Sequence, residues 1–297
     1  MSAPAAARRF RDVPAAVVFA GPAAAGFLTF YLWPALRGSY LSFTDFDLLT
    51  PPEFTGLDNY RRLVDDRLFW NALVVTLEYV VINIGVQTVV AVLLAVLMHR
   101  LTKSVTVRSV ILMPYLIANV VAALVWSSML DYQIGVVNQL LEWAGADRVA
   151  FFGESATAVP TIALVNTWRH LGYTALLIFA GLQAIPAQVY EAAAIDGANE
   201  WKTFWRVTLP LLRPVLALVL VLTVIGSFQV FDTIAVTTGG GPVNATRVIS
   251  FYIYEQAFTR FDFGYASALS LALFVILAGV AYGQLRLTRA AQSDLSG

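Results

Sequence analysis

The chain has 297 residues, of which 59% are hydrophobic and 13% are charged, and its mean hydropathy is +0.71. A soluble domain is about 45–50% apolar and about 25% charged, so the composition excludes an ordinary water-soluble enzyme. The 19 basic and 19 acidic residues balance, which leaves no electrostatic basis for binding nucleic acid. Because the sequence has no cysteine and two histidines, cysteine-based metal or redox sites are excluded and a histidine metal cluster is not expected.

Several apolar stretches are long enough to cross a bilayer, which takes about 20 mostly apolar residues. They are Val13–Leu36, Ala72–Leu97, Val110–Leu130, Val159–Leu182, Val215–Val236 and Ala266–Leu285. The sequence therefore predicts an all-α membrane protein with six transmembrane helices. Residues 13–285 form its membrane domain, between an amino-terminal tail, 1–12, and a carboxy-terminal tail, 286–297.

An even number of crossings places both termini on the same side of the membrane. Basic residues are enriched in cytoplasmic segments, and the bias here favours cytoplasmic termini. With that orientation the inner segments carry Arg8, Arg9, Arg11, Arg100, Lys103, Arg108, Lys202, Arg206, Arg213, Arg286 and Arg289.

The first apolar stretch has a second interpretation, because basic residues followed by an apolar run and small side chains are typical of a cleavable signal peptide. The apolar run continues through Tyr31 and Trp33, well beyond the length of a signal peptide. We therefore expect an uncleaved first helix.

The segment 183–213, between the fourth and fifth stretches, is the most informative polar part of the chain. Pro186 can open a helix, Gln188–Asp196 is alanine-rich and favours one, and Gly197 can end it in a left-handed conformation. A second short helix can start near Asn199, a good capping residue, and run to Pro210. The segment would present the large side chains Tyr190, Ile195, Trp201, Phe204 and Trp205. They suit either a groove on a partner protein or the lipid surface.

The same segment carries a resemblance to a known family. Glu191-Ala-Ala-Ala-Ile-Asp-Gly197, followed by Leu209-Pro210, resembles the EAA signature of the membrane subunits of ATP-binding-cassette importers. The longer pattern, with Gln183-Ala-Ile-Pro before it and Thr208-Leu-Pro-Leu-Leu-Arg-Pro214 after it, is similar to the maltose-type carbohydrate-uptake branch. The segments Phe231–Pro242 and Phe54–Tyr60 are also similar to that branch, and the likeness extends from about Trp33 onward, to the short six-helix members.

The resemblance implies a type I importer transmembrane-domain fold and a permease subunit for a sugar or related polyol. It also implies a second homologous permease, two ATPase subunits that bind ATP and Mg²⁺, and an extracytoplasmic solute-binding protein. The location would be the cytoplasmic (inner) membrane of a bacterium or archaeon. Segment 183–213 would couple to the ATPase through Tyr190, Glu191, Ala192, Ala193, Asp196, Gly197, Ala198, Trp201 and Phe204.

The chain itself is not expected to hydrolyse ATP or to hold a cofactor. A P-loop needs a lysine after a glycine-rich loop to hold the phosphates. Thr102 precedes Lys103 and Trp201 precedes Lys202, the only two lysines, and the glycine-rich run before Pro242 has none. The sequence predicts a non-catalytic transport subunit.

Polar side chains within the apolar stretches are candidates for the substrate pathway, because a charged group at the bilayer centre costs about 2.5–3.5 kcal/mol on insertion scales. The candidates on the fourth helix share one face at i, i+3, i+4 and i+7, and those on the fifth stand three apart. They are Asn166, Arg169, His170 and Tyr173 on the fourth helix, and Gln229 and Asp232 on the fifth. The stripe Tyr79, Asn83 and Gln87 on the second helix is more typical of interhelical hydrogen bonding.

The resemblance adds that sugar-contacting positions of the family map onto this part of the fourth helix. Asn166 and Tyr173 match the family in type, whereas Arg169 and His170 replace smaller apolar residues. Two roles for Arg169 stay open, contact with an anionic substrate or an internal pair with Asp232.

A second hypothesis is an ion-coupled secondary transporter of a small polar solute, in which Glu78, Asp232 and His170 titrate. Such a transporter has no need of the EAA segment.

Overall fold

The computed structural model describes residues 13–102 and 104–293. The predicted amino-terminal tail, Lys103 and residues 294–297 lie outside the described residues. The described residues form two compact units, one within Met1–Asp65 and Ile253–Leu273 and the other within Asp66–Tyr252 and Phe274–Gly297.

The first unit opens with a helical run from Val13 to Leu41. It consists of α1 (Val13–Phe27), a π-helical turn (Leu28–Leu32) and α2 (Trp33–Leu41). Pro34 lacks an N–H and crowds the preceding turn of a regular helix, and the wider π turn directly before it accommodates the ring. The predicted first span, Val13–Leu36, is therefore a helix that continues to Leu41.

The predicted outer-loop motif Phe54–Tyr60 organises the rest of this unit. Strands β1 (Thr44–Asp45) and β2 (Glu53–Phe54) pair antiparallel, and α3 covers Asp58–Asp65. Asn59 Nδ2 donates to the Ser42 and Thr44 carbonyls at 3.1 and 2.9 Å. The motif therefore fixes the chain that leaves the first span.

The second unit contains the long helices. Its elements are α4 (Arg67–Leu101), α5 (Val105–Leu116), α6 (Asn119–Met129), α7 (Val136–Trp143), α8 (Ser155–Gln183), α9 (Ala187–Ile195), α10 (Glu200–Thr203), α11 (Leu209–Phe228), α12 (Asp232–Thr237) and most of α13 (Ile249–Tyr254). A further helix, α14 (Phe263–Ser293), begins in the first unit and enters the second at Phe274. It continues eight residues past the predicted end at Leu285.

Helices α4, α8 and α11 pack together around the core of the second unit. Ala91, Ala95 and Ala175 are fully buried where α4 meets α8. Small side chains let membrane helices approach closely, and Ile178, Leu182 and other large apolar residues fill the space around them.

Within the described residues, four helices are long and apolar enough to span a membrane, and six spans result if each of two bent helix pairs counts as one. The predicted third span, Val110–Leu130, is not continuous, because α5 and α6 meet at 90°. The predicted fifth span, Val215–Val236, lies within one candidate span, Glu200–Thr237, whose helix is interrupted between Phe228 and Asp232. Ser250 Oγ donates to the Phe228 carbonyl at 3.2 Å, which supplies a hydrogen bond at the point where α11 ends.

The segment between α6 and α8, which contains α7, is held together by the buried side-chain amide of Asn138. Asn138 Nδ2 donates to the Asp131 and Val149 carbonyls, and Val149 N–H donates to Asn138 Oδ1 at 2.8 Å. The Ile134 and Gln133 N–H groups donate to the Asp131 carboxylate and lower its pKa.

Candidate functional site

A polar cavity of about 120 Å³ lies between α4, α8 and α11. Its polar lining residues come from all three helices, and they are Tyr79, Asn83, Gln87, His170, Tyr173, Thr174, Thr223 and Ser227. Non-polar side chains such as Leu177 and Val219 complete the wall. The cavity therefore offers hydroxyl, amide and aromatic groups in a largely apolar surrounding.

The stripe on the second span both lines this cavity and links the helices. Asn83 Nδ2 donates to Ser227 Oγ at 2.9 Å, and Thr167 Oγ1 donates to Asn83 Oδ1 at 3.2 Å. Gln87 Nε2 donates to Thr174 Oγ1 at 2.8 Å. The predicted interhelical hydrogen bonds of Asn83 and Gln87 are confirmed, and these residues also face the cavity.

The polar face of the fourth span, α8, is turned in part toward α5. Arg169 Nε donates to the Ile117 carbonyl at 2.8 Å, and Nη2 donates to the Tyr115 carbonyl at 3.2 Å. The Tyr115 ring stacks on Tyr173 with centroids 4.6 Å apart and an interplanar angle of 11°. One turn of α8 therefore holds the carboxyl end of α5.

The contacts of His170 indicate one tautomer of its ring. Nδ1 lies 2.9 Å from the Asn166 carbonyl, and Nε2 lies 3.0 Å from Arg169 Nη1. A carbonyl only accepts and a guanidinium only donates, so Nδ1 carries the proton and Nε2 accepts. His170 is a neutral imidazole in this arrangement.

Asp232 lies at the start of α12 and does not pair with Arg169. Its Oδ2 accepts from Asn119 Nδ2 at 2.7 Å, and Asn119 is the first residue of α6. Among the described residues no ion pair joins Arg169 to Asp232, because each makes its contacts at a separate helix end. Of the two roles left open for Arg169, the internal pair with Asp232 is therefore not observed.

The six predicted pathway residues occupy different positions. His170 and Tyr173 line the cavity, and Asn166 Oδ1 accepts from Thr233 Oγ1 at 2.9 Å. Gln229 is exposed in the break after α11. The i, i+3 relation predicted for Gln229 and Asp232 is lost, because the helix is interrupted between them.

Sequence reasoning missed Tyr115, Thr174 and Ser227. Single hydroxyl groups in apolar helices give little signal, because they also bond within their own helix. Tyr115 follows Pro114 in an apolar stretch, and that proline is the one local sign that the helix could end there.

A second feature is the segment 183–213, which forms the predicted pair of short helices. Helix α9 begins after Pro186, Gly197 turns the chain with φ of 72°, and Asn199 Oδ1 accepts from the Lys202 N–H at 2.9 Å. These local predictions are confirmed. The second helix does not stop at Pro210, because a π turn at Phe204–Thr208 leads directly into α11.

The residues predicted to couple to the ATPase lie on two sides of this segment. Glu191, Ala192, Asp196, Gly197 and Trp201 are exposed, and so are Ile195 and Trp205. Ala193 is buried, while Tyr190, Ala198 and Phe204 are half-buried. The expectation that Tyr190 and Phe204 are exposed is therefore wrong, because both are half-buried and turn toward the end of α4.

Tyr190, Ala198 and Phe204 line a pocket of about 620 Å³ together with His99 and Arg100. Arg100 Nη1 donates to Glu200 Oε2 at 2.6 Å, which ties the end of α4 to α10. Among the described residues no group of three His, Asp or Glu could hold a metal ion.

Apolar helices broken beside a polar cavity, with an exposed helical turn between α8 and α11, define the class as a membrane-spanning transport subunit. Residues 87–287 match the sequence profile of the family described as "Binding-protein-dependent transport system inner membrane component". The chain belongs to this family, and the predicted importer-permease fold is confirmed.

Two relatives illustrate the likeness. The chain is 34% identical to the trehalose/maltose transport system permease protein MalF of Thermococcus litoralis, over 84% of this chain and 85% of the relative. It is 32% identical to the sulfoquinovosyl glycerol transport system permease protein SmoG of Agrobacterium fabrum, over 92% and 90%. Both relatives are named as transport permeases, in agreement with the predicted non-catalytic subunit.

A solved structure has the same fold. The crystal structure of a bacterial ABC transporter involved in the import of the acidic polysaccharide alginate matches with a TM-score of 0.83 and 25% identity. The match covers 95% of this chain and 99% of that chain.

Proposed function

We propose that this chain is one of two permease subunits of an importer for a sugar or related polyol. It pairs with a second homologous permease and with two ATPase subunits, which bind ATP and Mg²⁺. It receives its substrate from an extracytoplasmic binding protein. The observation that carries this proposal is the exposed turn at Gly197, whose sequence resembles the EAA signature and whose position joins two long helices.

In this proposal the chain crosses the cytoplasmic membrane six times and keeps tails 1–12 and 286–297 in the cytoplasm. The segment 183–213 then lies on the cytoplasmic side, where ATPase subunits are found. Its exposed apolar side chains, Ile195, Trp201 and Trp205, supply a surface suited to a groove on the ATPase.

The segment is built to transmit movement into the membrane helices. A π turn joins α10 to α11 without a loop, and the Arg100–Glu200 contact joins α10 to α4. A rigid-body displacement of the docked turn would therefore reach two helices of the cavity wall.

The cavity supports a polyhydroxylated substrate. Amide and hydroxyl groups of Asn83, Gln87, Thr174 and Ser227 can exchange hydrogen bonds with sugar hydroxyls, and the exposed face of Tyr173 can contact a sugar ring. Names of relatives point the same way, since they include trehalose, maltose and sulfoquinovosyl glycerol transport. We assign His170 and Tyr173 to the pathway directly. Asn166, Arg169 and Asp232 form its supporting framework, and Gln229 lies at the adjacent break.

The test is co-purification of the ATPase with the tagged permease pair, using Trp201→Ala. We expect this variant to lose most of the bound ATPase and of the binding-protein-stimulated hydrolysis. Trp143→Ala is the matched control, because Trp143 is 88% exposed on α7, outside the segment. Equal retention by both variants would contradict the proposed coupling surface.

The ion-coupled alternative predicts uptake that follows a proton or sodium gradient in the absence of ATP. His170 is poorly placed to bind a proton, because Arg169 already donates to its Nε2. In proteoliposomes we expect uptake to require ATP and to persist when ion gradients are collapsed.

A further inference from the structure

The third span breaks beside Arg169. Helix α5 ends at Leu116 and α6 starts at Asn119, with a 90° bend between them. The last carbonyls of a helix have no intrahelical donor, and a bilayer interior offers no water to replace one. The break therefore needs donors from another part of the chain.

Arg169 supplies those donors. Its Nε and Nη2 donate to the Ile117 and Tyr115 carbonyls, and Nη1 donates to His170 Nε2. A planar guanidinium can serve several acceptors at once, and a cation is favoured at the carboxyl end of a helix. Each of its three nitrogens is engaged within the chain.

We propose that Arg169 is a positioning residue that caps α5, holds the break in the third span and thereby fixes the wall of the cavity, rather than a receptor for an anionic substrate. Tyr115, whose carbonyl it binds, stacks on Tyr173, which lines the cavity. Displacing the end of α5 would therefore move the aromatic support of Tyr173.

A consequence follows for the substrate, and it rests on the proposed function. Among the described residues that line the cavity, none carries a carboxylate, ammonium or guanidinium group, and His170 is neutral. The wall that this chain contributes therefore suits an uncharged polyhydroxylated solute better than an acidic sugar.

The structural part is tested by amide hydrogen exchange of the full chain in lipid nanodiscs, without substrate. Arg169→Met removes all the donors at similar length, whereas Arg169→Gln keeps an amide donor and loses the charge. We expect exchange of residues 113–122 to rise by about tenfold or more in Arg169→Met, and by less in Arg169→Gln.

Arg148→Met is the matched control, because Arg148 also donates to two carbonyls, those of Tyr132 and Gln133. It should raise exchange only in the turn that contains residues 131–149. Unchanged exchange of residues 113–122 in Arg169→Met would overturn the capping role.

The functional part uses trehalose and an alginate oligosaccharide as neutral and acidic probes, with the importer reconstituted with its natural partners. We expect Arg169→Gln to reduce uptake of both probes by the same factor, and Arg169→Met to reduce both further. If the wild type takes up trehalose and not the alginate oligosaccharide, this would also support the inference that the cavity wall suits an uncharged solute.

A loss in Arg169→Gln confined to the acidic probe, or wild-type uptake of that probe alone, would overturn the inference. Failure of the wild type to take up either sugar would count against the sugar substrate in the proposed function. The exchange result would still decide the role of Arg169.

Discussion

Gly172 brings α8 directly against the backbone of α5, and replacing it tests the packing that holds the break. A Cβ at this position would lie 2.0 Å from the Ile111 carbonyl oxygen and 2.8 Å from its carbon. Both are backbone atoms, so a side-chain rotation cannot relieve the overlap. For Gly172→Ala, the Ile111 oxygen would have to move from 2.0 Å to the 3.4 Å at which ordinary contact begins.

Such a shift would also lengthen the bonds that Arg169 makes to the end of α5. Overpacking costs about 1–3 kcal/mol, and each weakened hydrogen bond adds about 1 kcal/mol. Two such bonds are affected, so we expect Gly172→Ala to lower the free energy of unfolding by about 3–5 kcal/mol.

The assay is thermal and denaturant unfolding of the purified full-length chain in detergent. Gly85→Ala is the control, since Gly85 lies within α4 and its added Cβ would meet no atom within 4 Å. Alanine is favoured over glycine inside a helix by about 0.5–1 kcal/mol, so this variant should be as stable as the wild type or slightly more. Equal stability of Gly172→Ala and the wild type would refute the close packing of α5 on α8.

Three further predictions concern the turns. Gly197 has φ of 72° with open space around it, so Gly197→Val should strain the turn by about 1–2 kcal/mol and reduce ATPase co-purification, whereas Gly197→Asn should retain it. Asn138→Ala should leave buried backbone groups unpaired and destabilise the turn by about 2 kcal/mol or more, measured by limited proteolysis between Asp131 and Val149. The folded-state pKa of Asp131 is lowered from 3.8, so its stabilisation of the turn is complete above pH 3.8 and is lost as the pH falls through the lowered value. Proteolysis by an acid-active protease should detect this change, and Asp131→Asn should remove its contribution at neutral pH.

The parts of the fold that were predictable depend on local chemistry. Long apolar stretches define most of the spanning helices, and Pro186, Gly197 and Asn199 specify the short helical turn through backbone preferences that act within a few residues. The same reasoning did not anticipate the 90° bend in the third span or the short interruption within the fifth. The stretches on either side of each break are apolar, and the hydrogen bonds that satisfy the helix ends come from Arg169 and Ser250, which are distant in sequence.

The orientation of side chains in the segment 183–213 was also beyond local reasoning. Tyr190 and Phe204 look like exposed aromatic residues in a polar segment, but the end of α4 provides His99 and Arg100 as neighbours. The polar face of α8 was identified correctly as a face. Which of its residues line the cavity and which bind the end of α5 depends on where α5 stops.

The polar groups of the cavity region differ in how readily a sugar hydroxyl could replace their present hydrogen-bond partners. Arg169 and Asp232 carry charge, and each is bonded at a helix end where no sugar hydroxyl could substitute without leaving a backbone or amide partner unpaired. Asn83 and Gln87 instead bond to the hydroxyls of Ser227 and Thr174. A sugar hydroxyl has the same donor and acceptor capacity as the hydroxyls of Ser227 and Thr174. If a sugar hydroxyl replaces one of them as the partner of Asn83 or Gln87, the number of hydrogen bonds changes little. In the proposed pathway this near-equivalence favours weak binding, which a transport site needs because the substrate must leave as readily as it enters.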